Sequence, residues 1–300
     1  MEGVISVETV IEVQGITKQY GATIAVNQMS LQIKKGDIYG LIGKNGAGKT
    51  TLMKLILGLS TPNCGTIRLF GSSMLDEGRK KIGALIEMPV LYNKETAFEN
   101  MKRFAILTDT SDEEIWRILR LVGLGDTKKK KAGQFSLGMR QRLAIGIALL
   151  GDPQVLILDE PVNGLDPAGI KEMRDVILQL NKEGVTFLIS SHLLDELGKI
   201  ATGYGIISKG YLVEQISAQE LKQKCLGNLE IVVDDTQKAV ATLQEAFPSM
   251  EFTAQEQLIA IPALVNSAQI NETLVKAGIR VSRLQRTVVS HEDYFIERMG

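Results

Sequence analysis

The loop Gly43-Lys-Asn-Gly-Ala-Gly48-Lys49-Thr50 constrains this chain more than any other feature of its sequence. Apolar alternation up to Ile42 predicts a strand before it, and apolar spacing at Leu52, Leu55 and Ile56 predicts a helix after it. Strand, glycine-rich turn and helix together open a phosphate-binding α/β core. Each residue type has a mechanical reason. The glycines let backbone N–H groups approach phosphate oxygens closely, and the helix aims the positive end of its dipole at the same anion. Lys49 can reach β- and γ-phosphates, and the Thr50 hydroxyl can ligate Mg²⁺. The predicted phosphate-binding set is therefore Gly43, Lys44, Asn45, Gly46, Ala47, Gly48, Lys49, Thr50 and Thr51.

A second segment fits that core. Val155 to Leu158 are apolar and are followed by Asp159 and Glu160, the pattern of a buried strand delivering carboxylates to its C-terminal tip. Ligands of open α/β sheets sit at such tips. Asp159 is placed for the Mg²⁺ shell, and Glu160 to polarise a water in line with the γ-phosphate. A helix over about 168–182 and a buried strand over 185–191 follow, so the sheet should be largely parallel. Residues 88–150 read as mostly helical. Ser111 and Glu114 have capping-box spacing before the apolar stripe Ile115, Ile118, Leu119, Val122. Trp116 beside that stripe reads as packing, and Lys128–Lys131 as a solvated loop.

Composition narrows the classes. Lys+Arg 34 against Asp+Glu 35 gives a net charge of -1, without the basic excess of a chain that coats nucleic acid. The 2 cysteines, Cys64 and Cys225, leave no disulfide scaffold or cysteine-built zinc site to expect. The densest apolar run, Leu143–Leu150, is far short of the ~20 residues that span a bilayer. The acidic N-terminal segment lacks a secretory pattern, so the chain is expected in the cytoplasm, with any membrane role borrowed from a partner. A composition shift near 217–227 divides the chain into expected domains 1–222 and 223–300. In the second, strands at 229–234, 250–254, 257–261 and 280–286 alternate with helices at 236–246 and 265–277. That is a ferredoxin-like order, with a last helix at about 291–298.

Phe135-Ser-Leu-Gly-Met-Arg-Gln-Arg142 resembles the signature of ATP-binding-cassette (ABC) ATPases, LSGGQ followed by RQR. Asn163-Gly-Leu-Asp166-Pro resembles that family's D-loop, His192 its switch histidine and Tyr20 its adenine-stacking residue. These motifs occur in family order over about residues 10–215. The resemblance implies a P-loop NTPase fold: an ABC-type nucleotide-binding domain with a RecA-like core and a helical subdomain at about 88–150, followed by a small C-terminal α+β domain. It implies an ATPase using ATP and Mg²⁺, in which two nucleotide-binding subunits, as a homodimer, pair head to tail. The Gly43–Thr50 loop of one then faces Ser136 and Gly138 of the other, with Asp166 at the same junction. His192 would bond the γ-phosphate and hold the attacking water, beside Glu160 as the other catalytic residue.

Two positions depart from the family pattern. Glu87 stands where most members have Gln, and Leu137 and Met139 replace the first Gly and the Gln of the signature. A glutamate at that position resembles ATPases of bacitracin exporters and lantibiotic self-protection transporters, as do the TAFENM segment and the ending SHEDYFIERMG. A carboxylate there is favourable if it ligates the metal and costly if it faces phosphate; as a candidate metal ligand it joins Thr50 and Asp159. The subgroup implies export of antimicrobial peptides, conferring resistance or immunity. Integral-membrane permease subunits on separate chains would hold the ATPase at the inner face of the membrane, and a groove around Glu87–Tyr92 would transmit motion to them. The alternative, a soluble ABC ATPase acting on nucleic acid or ribosomes, is opposed by the single cassette, the absence of heptads and the missing basic excess. A phosphate-loop kinase or GTPase is opposed by the signature and His192.

Overall fold

The computed structural model describes residues 8–87, 90–127, 129–262 and 265–300. Residues 1–7 of the acidic N-terminal segment, Met88 and Pro89 of the expected groove, and Lys128 of the basic run lie outside them. The chain forms two compact units, one extending to Ala218 and including Phe295–Gly300, the other comprising Gln219–Tyr294.

In the first unit Thr9–Tyr20 (β1) and Thr23–Lys34 (β2) form a hairpin that turns over two residues, Gly21 and Ala22, with Tyr20 opposite Thr23. Ile38–Ile42 (β3) is buried along its whole length, as a strand covered on both faces must be. Cys64–Leu69 (β4), Ile82–Leu85 (β5), Val155–Asp159 (β6), Thr186–Ser191 (β7), Gly203–Ser208 (β8) and Tyr211–Ser217 (β9) complete the strands. A sheet of order β2-β1-β4 is antiparallel, and a second of order β5-β6-β7-β3-β8-β9 is parallel except at β8–β9. The helix Lys49–Ile56 buries Leu52, Met53, Leu55 and Ile56 in one cluster with β1 and β2 residues and with Leu41, Ile157 and Leu188 of the parallel sheet. At about 1.5–3 kcal/mol for each large apolar side chain removed from water, this cluster clamps the phosphate loop to the sheet.

Between β5 and β6 lie the helices Ala97–Ala105, Asp112–Leu121 and Leu137–Ala148. The capping box expected at Ser111 is one-sided. Ser111 Oγ accepts the Glu114 N–H at 3.2 Å, but the Glu114 carboxylate turns outward to Arg117, whose Nη2 it meets at 2.7 Å. The reciprocal box is at Thr96 and Glu99 instead. Trp116 is half-buried and stacks on Phe98, with ring centroids 4.9 Å apart.

The second unit holds Asn228–Val233 (β10), Thr253–Gln255 (β11), Leu258–Pro262 (β12) and Val281–Arg286 (β13), an antiparallel sheet of order β11-β12-β10-β13. The helices Thr236–Ala246 and Ser267–Lys276 bring Ala239, Leu243, Ile270 and Leu274 onto Leu229, Ile231, Ile259 and Ile261. The strand expected at 250–254 begins only at Thr253. Met250 N–H closes a turn on the Phe247 carbonyl and Phe252 packs onto the core, which leaves three exposed residues to pair as an edge. A last helix runs over His291–Met299.

Candidate active site

The helix Lys49–Ile56 starts from Gly48, whose left-handed backbone (φ 112°) brings the position of a Cβ within 2.4 Å of the Ala25 carbonyl oxygen. Among the described residues no side chain caps this helix, and no acid sits in its first turn. Its N–H groups therefore remain available to an anion. They border a cavity of about 160 Å³ lined by Ala25, Asn45–Thr51 and Glu160. Lys44, Asn45 and Gly46 are exposed, and Lys44 Nζ donates to the Gly300 carbonyl at 3.1 Å.

Lys49 is buried, donates to the Gly43 carbonyl at 2.6 Å and lies 3.5 Å from Glu160 Oε1. Thr50 Oγ1 donates to Asp159 Oδ2 at 2.7 Å. These two oxygens suit a hard divalent cation, which prefers hydroxyl and carboxylate donors. The other oxygen of Asp159 accepts from Ser190 Oγ at 2.5 Å, and Ser190 Oγ in turn accepts the Glu160 N–H at 2.9 Å. This bridge follows from strand register, because Asp159 stands directly opposite Ser190 on the neighbouring parallel strand. Glu160 itself has φ 50°, a left-handed conformation uncommon for a non-glycine residue. Its Oε2 lies 2.6 Å from His192 Nδ1, while Oε1 is buried and lacks a hydrogen-bond partner among the described residues. A buried unsatisfied carboxylate oxygen is costly to maintain.

Glu87 follows β5 and lines a cavity of about 170 Å³ with Asp159, Glu160, Gln141 and Asn163. Its Oε1 lies 2.7 Å from Lys54 Nζ. The Lys54 hydrogen bond and charge hold the Glu87 carboxyl below the usual carboxylate range, and the same bond raises Lys54. Gln141 is buried, and its Oε1 has no hydrogen-bond partner among the described residues. Tyr20 ends β1 half-exposed, with its hydroxyl 3.2 Å from Ser60 Oγ and Lys18 Nζ 4.8 Å above its ring.

The structure thus brings Lys49, Thr50, Asp159, Glu160 and His192 together and sets Glu87 beside them. Ser136, Gly138 and Asp166 form a separate surface. Ser136 caps Leu137–Ala148 and Asp166 caps Pro167–Lys182. A Cβ on Gly138 would lie 3.6 Å from Leu165, and Gln141 Nε2 donates to the Asn163 carbonyl at 3.4 Å. Sequence reasoning missed Ser190, Lys54 and Gln141. A hydroxyl two residues before His192 and a cation four residues after Thr50 were the available signals.

Comparison with known proteins fits this geometry. Residues 26–163 match the ABC transporter family. A bacitracin transport ATP-binding protein of Enterococcus faecalis is 40% identical, with 98% of this chain and 97% of the relative aligned. A lantibiotic transport ATP-binding protein of Streptococcus pyogenes is 43% identical over 68% of this chain and 89% of its own length. Among solved structures, an ATP-binding subunit of an ABC transporter superposes with a TM-score of 0.64 at 29% identity, covering 72% of this chain and 93% of that one.

Proposed function

This chain belongs to the ABC transporter family, and on that premise we propose that it drives the export of antimicrobial peptides or similar compounds through permease subunits carried on other chains. It binds ATP and hydrolyses it, as the family does. The observation that carries the mechanistic reading is the Glu160 carboxylate: one oxygen held by His192, the other buried, ion-paired with Lys49 at 3.5 Å and without a hydrogen-bond partner among the described residues.

That oxygen, once Lys49 turns to the phosphates, is the acceptor for the proton of an attacking water. Water adds to the γ-phosphorus, its proton passes to Glu160 Oε1, and the bond to the ADP oxygen breaks. His192 fixes the carboxylate, and Ser190 fixes both the Glu160 backbone and Asp159. Lys49 exchanges its loop carbonyls for β- and γ-phosphate oxygens, and the uncapped helix start receives the remaining phosphate charge. Thr50 and Asp159 are the residues that would hold Mg²⁺, with Glu87 beside them; when bound, the ion neutralises charge on the phosphates. Tyr20 stacks on the adenine. Two copies pair head to tail, so that Ser136, Gly138 and Asp166 of one complete the phosphate site of the other.

The transported class rests on the bacitracin and lantibiotic relatives. Among the described residues no helix is long and apolar enough to cross a membrane, so the chain would meet the inner membrane face through its permease. Glu160→Gln tests both parts. The variant should keep ATP binding, lose turnover by at least about 100-fold, and retain a multi-spanning protein when membranes are gently solubilised with Mg·ATP. Wild-type turnover would remove Glu160 from its role. Recovery of ribosomal or nucleic-acid partners alone would retire the export reading.

A further inference from the structure

We propose that Lys54 is a positioning residue of the nucleotide site, the counter-charge that lets a carboxylate, Glu87, stand beside the phosphates. This rests on the reading of the Lys49–Asp159–Glu160 cluster as the ATP site.

Thr50 and Lys54 are i and i+4 on one helix, so they share a face. The first meets Asp159 at 2.7 Å and the second meets Glu87 at 2.7 Å. Strand register explains why two acids stand side by side there. Leu85 on β5 pairs with Leu158 on β6, so Glu87 and Asp159 emerge from adjacent strand tips, and both line the same cavity. With Glu160 the cavity carries three carboxylates. Lys49 is engaged by loop carbonyls and lies against Glu160, whereas Lys54 is the ion-pair partner of Glu87. An unpaired carboxylate at this tip would repel incoming phosphates, and Lys54 cancels its charge.

The backbone of Lys54 does separate work. Its carbonyl accepts the N–H groups of Leu59 and Ser60, and the Ser60 hydroxyl meets Tyr20. A side-chain substitution leaves that turn intact, so the charge can be tested alone.

The test is a double-mutant cycle on the full chain, reading equilibrium binding of a fluorescent ATP analogue with Mg²⁺, with thermal unfolding as the check on folding. Lys54→Gln leaves the Glu87 charge uncompensated and should weaken binding on the order of fivefold. Glu87→Gln frees a cation and should tighten it. The double variant should return to within about twofold of wild type, and the coupling should shrink at high salt. An unchanged affinity in Lys54→Gln overturns the inference, as does a loss of equal size whether residue 87 is Glu or Gln, which would mean that Lys54 acts on the nucleotide directly. Lys49→Ala separates the two readings. If it abolishes binding while the cycle is flat, only the Lys54 inference fails; if it binds as wild type, the site assignment falls with it.

Discussion

Strands β6 and β10 carry nearly the same message in sequence: an apolar run that ends in two consecutive acids, Asp159-Glu160 in one unit and Asp234-Asp235 in the other. Their environments differ. Asp234 accepts the Arg280 N–H at 3.0 Å, and Asp235 caps the following helix by accepting the Lys238 N–H at 2.9 Å. Among the described residues Glu160 keeps a buried oxygen without a hydrogen-bond partner. Helix starts differ in the same way: in the C-terminal unit Asp235 caps Thr236–Ala246 and Asn266 caps Ser267–Lys276, whereas Lys49–Ile56 begins without a side-chain cap. An acid pair at a strand tip is therefore not a site by itself. Hydrogen-bonding capacity left unfilled inside the fold separates the two acid pairs, and three pairs of substitutions and one single substitution can sharpen or break that contrast.

The largest effect is expected at Gly48. A methyl group there would sit 2.4 Å from the Ala25 carbonyl oxygen, a backbone atom that cannot give way, on a φ of 112°. Gly48→Ala should abolish binding of the ATP analogue. Its counterpart, Gly278, also has positive φ (72°), but only the flexible tip of Lys238 lies within reach at 3.9 Å. Gly278→Ala should cost about 1–2 kcal/mol of stability in thermal unfolding and leave nucleotide binding intact.

Next is Leu274→Ala, which opens the core of the C-terminal unit. It should lower that unit's stability by about 2–5 kcal/mol and leave ATP affinity within about twofold. A parallel collapse of ATP binding would show that the C-terminal unit is not merely a brace. Ser190→Ala removes a donor to Asp159 and an acceptor for Glu160 N–H at once. Hydrogen bonds to charged groups contribute roughly 1.5–3 kcal/mol, so steady-state turnover should fall about 10- to 100-fold. In the C-terminal unit, Ser282 donates at 3.0 Å to the Val232 carbonyl from an exposed position, and Ser282→Ala should stay within about 0.5 kcal/mol of wild-type stability.

These contrasts mark what sequence reading can reach. The phosphate loop, the strand before Asp159 and Glu160, and the buried strand before His192 are local patterns, legible because strand, turn and helix follow one another within a few residues. The Asp159–Ser190 bridge and the Lys54–Glu87 pair depend on register between strands far apart in sequence, which no local pattern carries. Competition was equally hidden. Ser111 and Glu114 have the spacing of a capping box, but Arg117 lies three residues beyond Glu114 and takes its carboxylate. The edge strand began three residues late because Phe252 found the core.

The smallest expected effect discriminates most finely. Asp166 and Asp235 are chemically identical N-caps, each accepting a first-turn N–H at 2.9 Å from an exposed position. As caps, each should contribute about 1 kcal/mol to stability, and substitution by Ala should remove it in both. Only Asp166 lies on the surface shared with Gly138, Leu165 and Gly169. If that surface completes a partner's phosphate site, Asp166→Ala should lower turnover cooperatively with protein concentration while ATP binding by the monomer is unchanged. Asp235→Ala should lose the same stability and no turnover. Equal turnover in the two variants would reduce Asp166 to a helix cap and remove the head-to-tail contact from that surface.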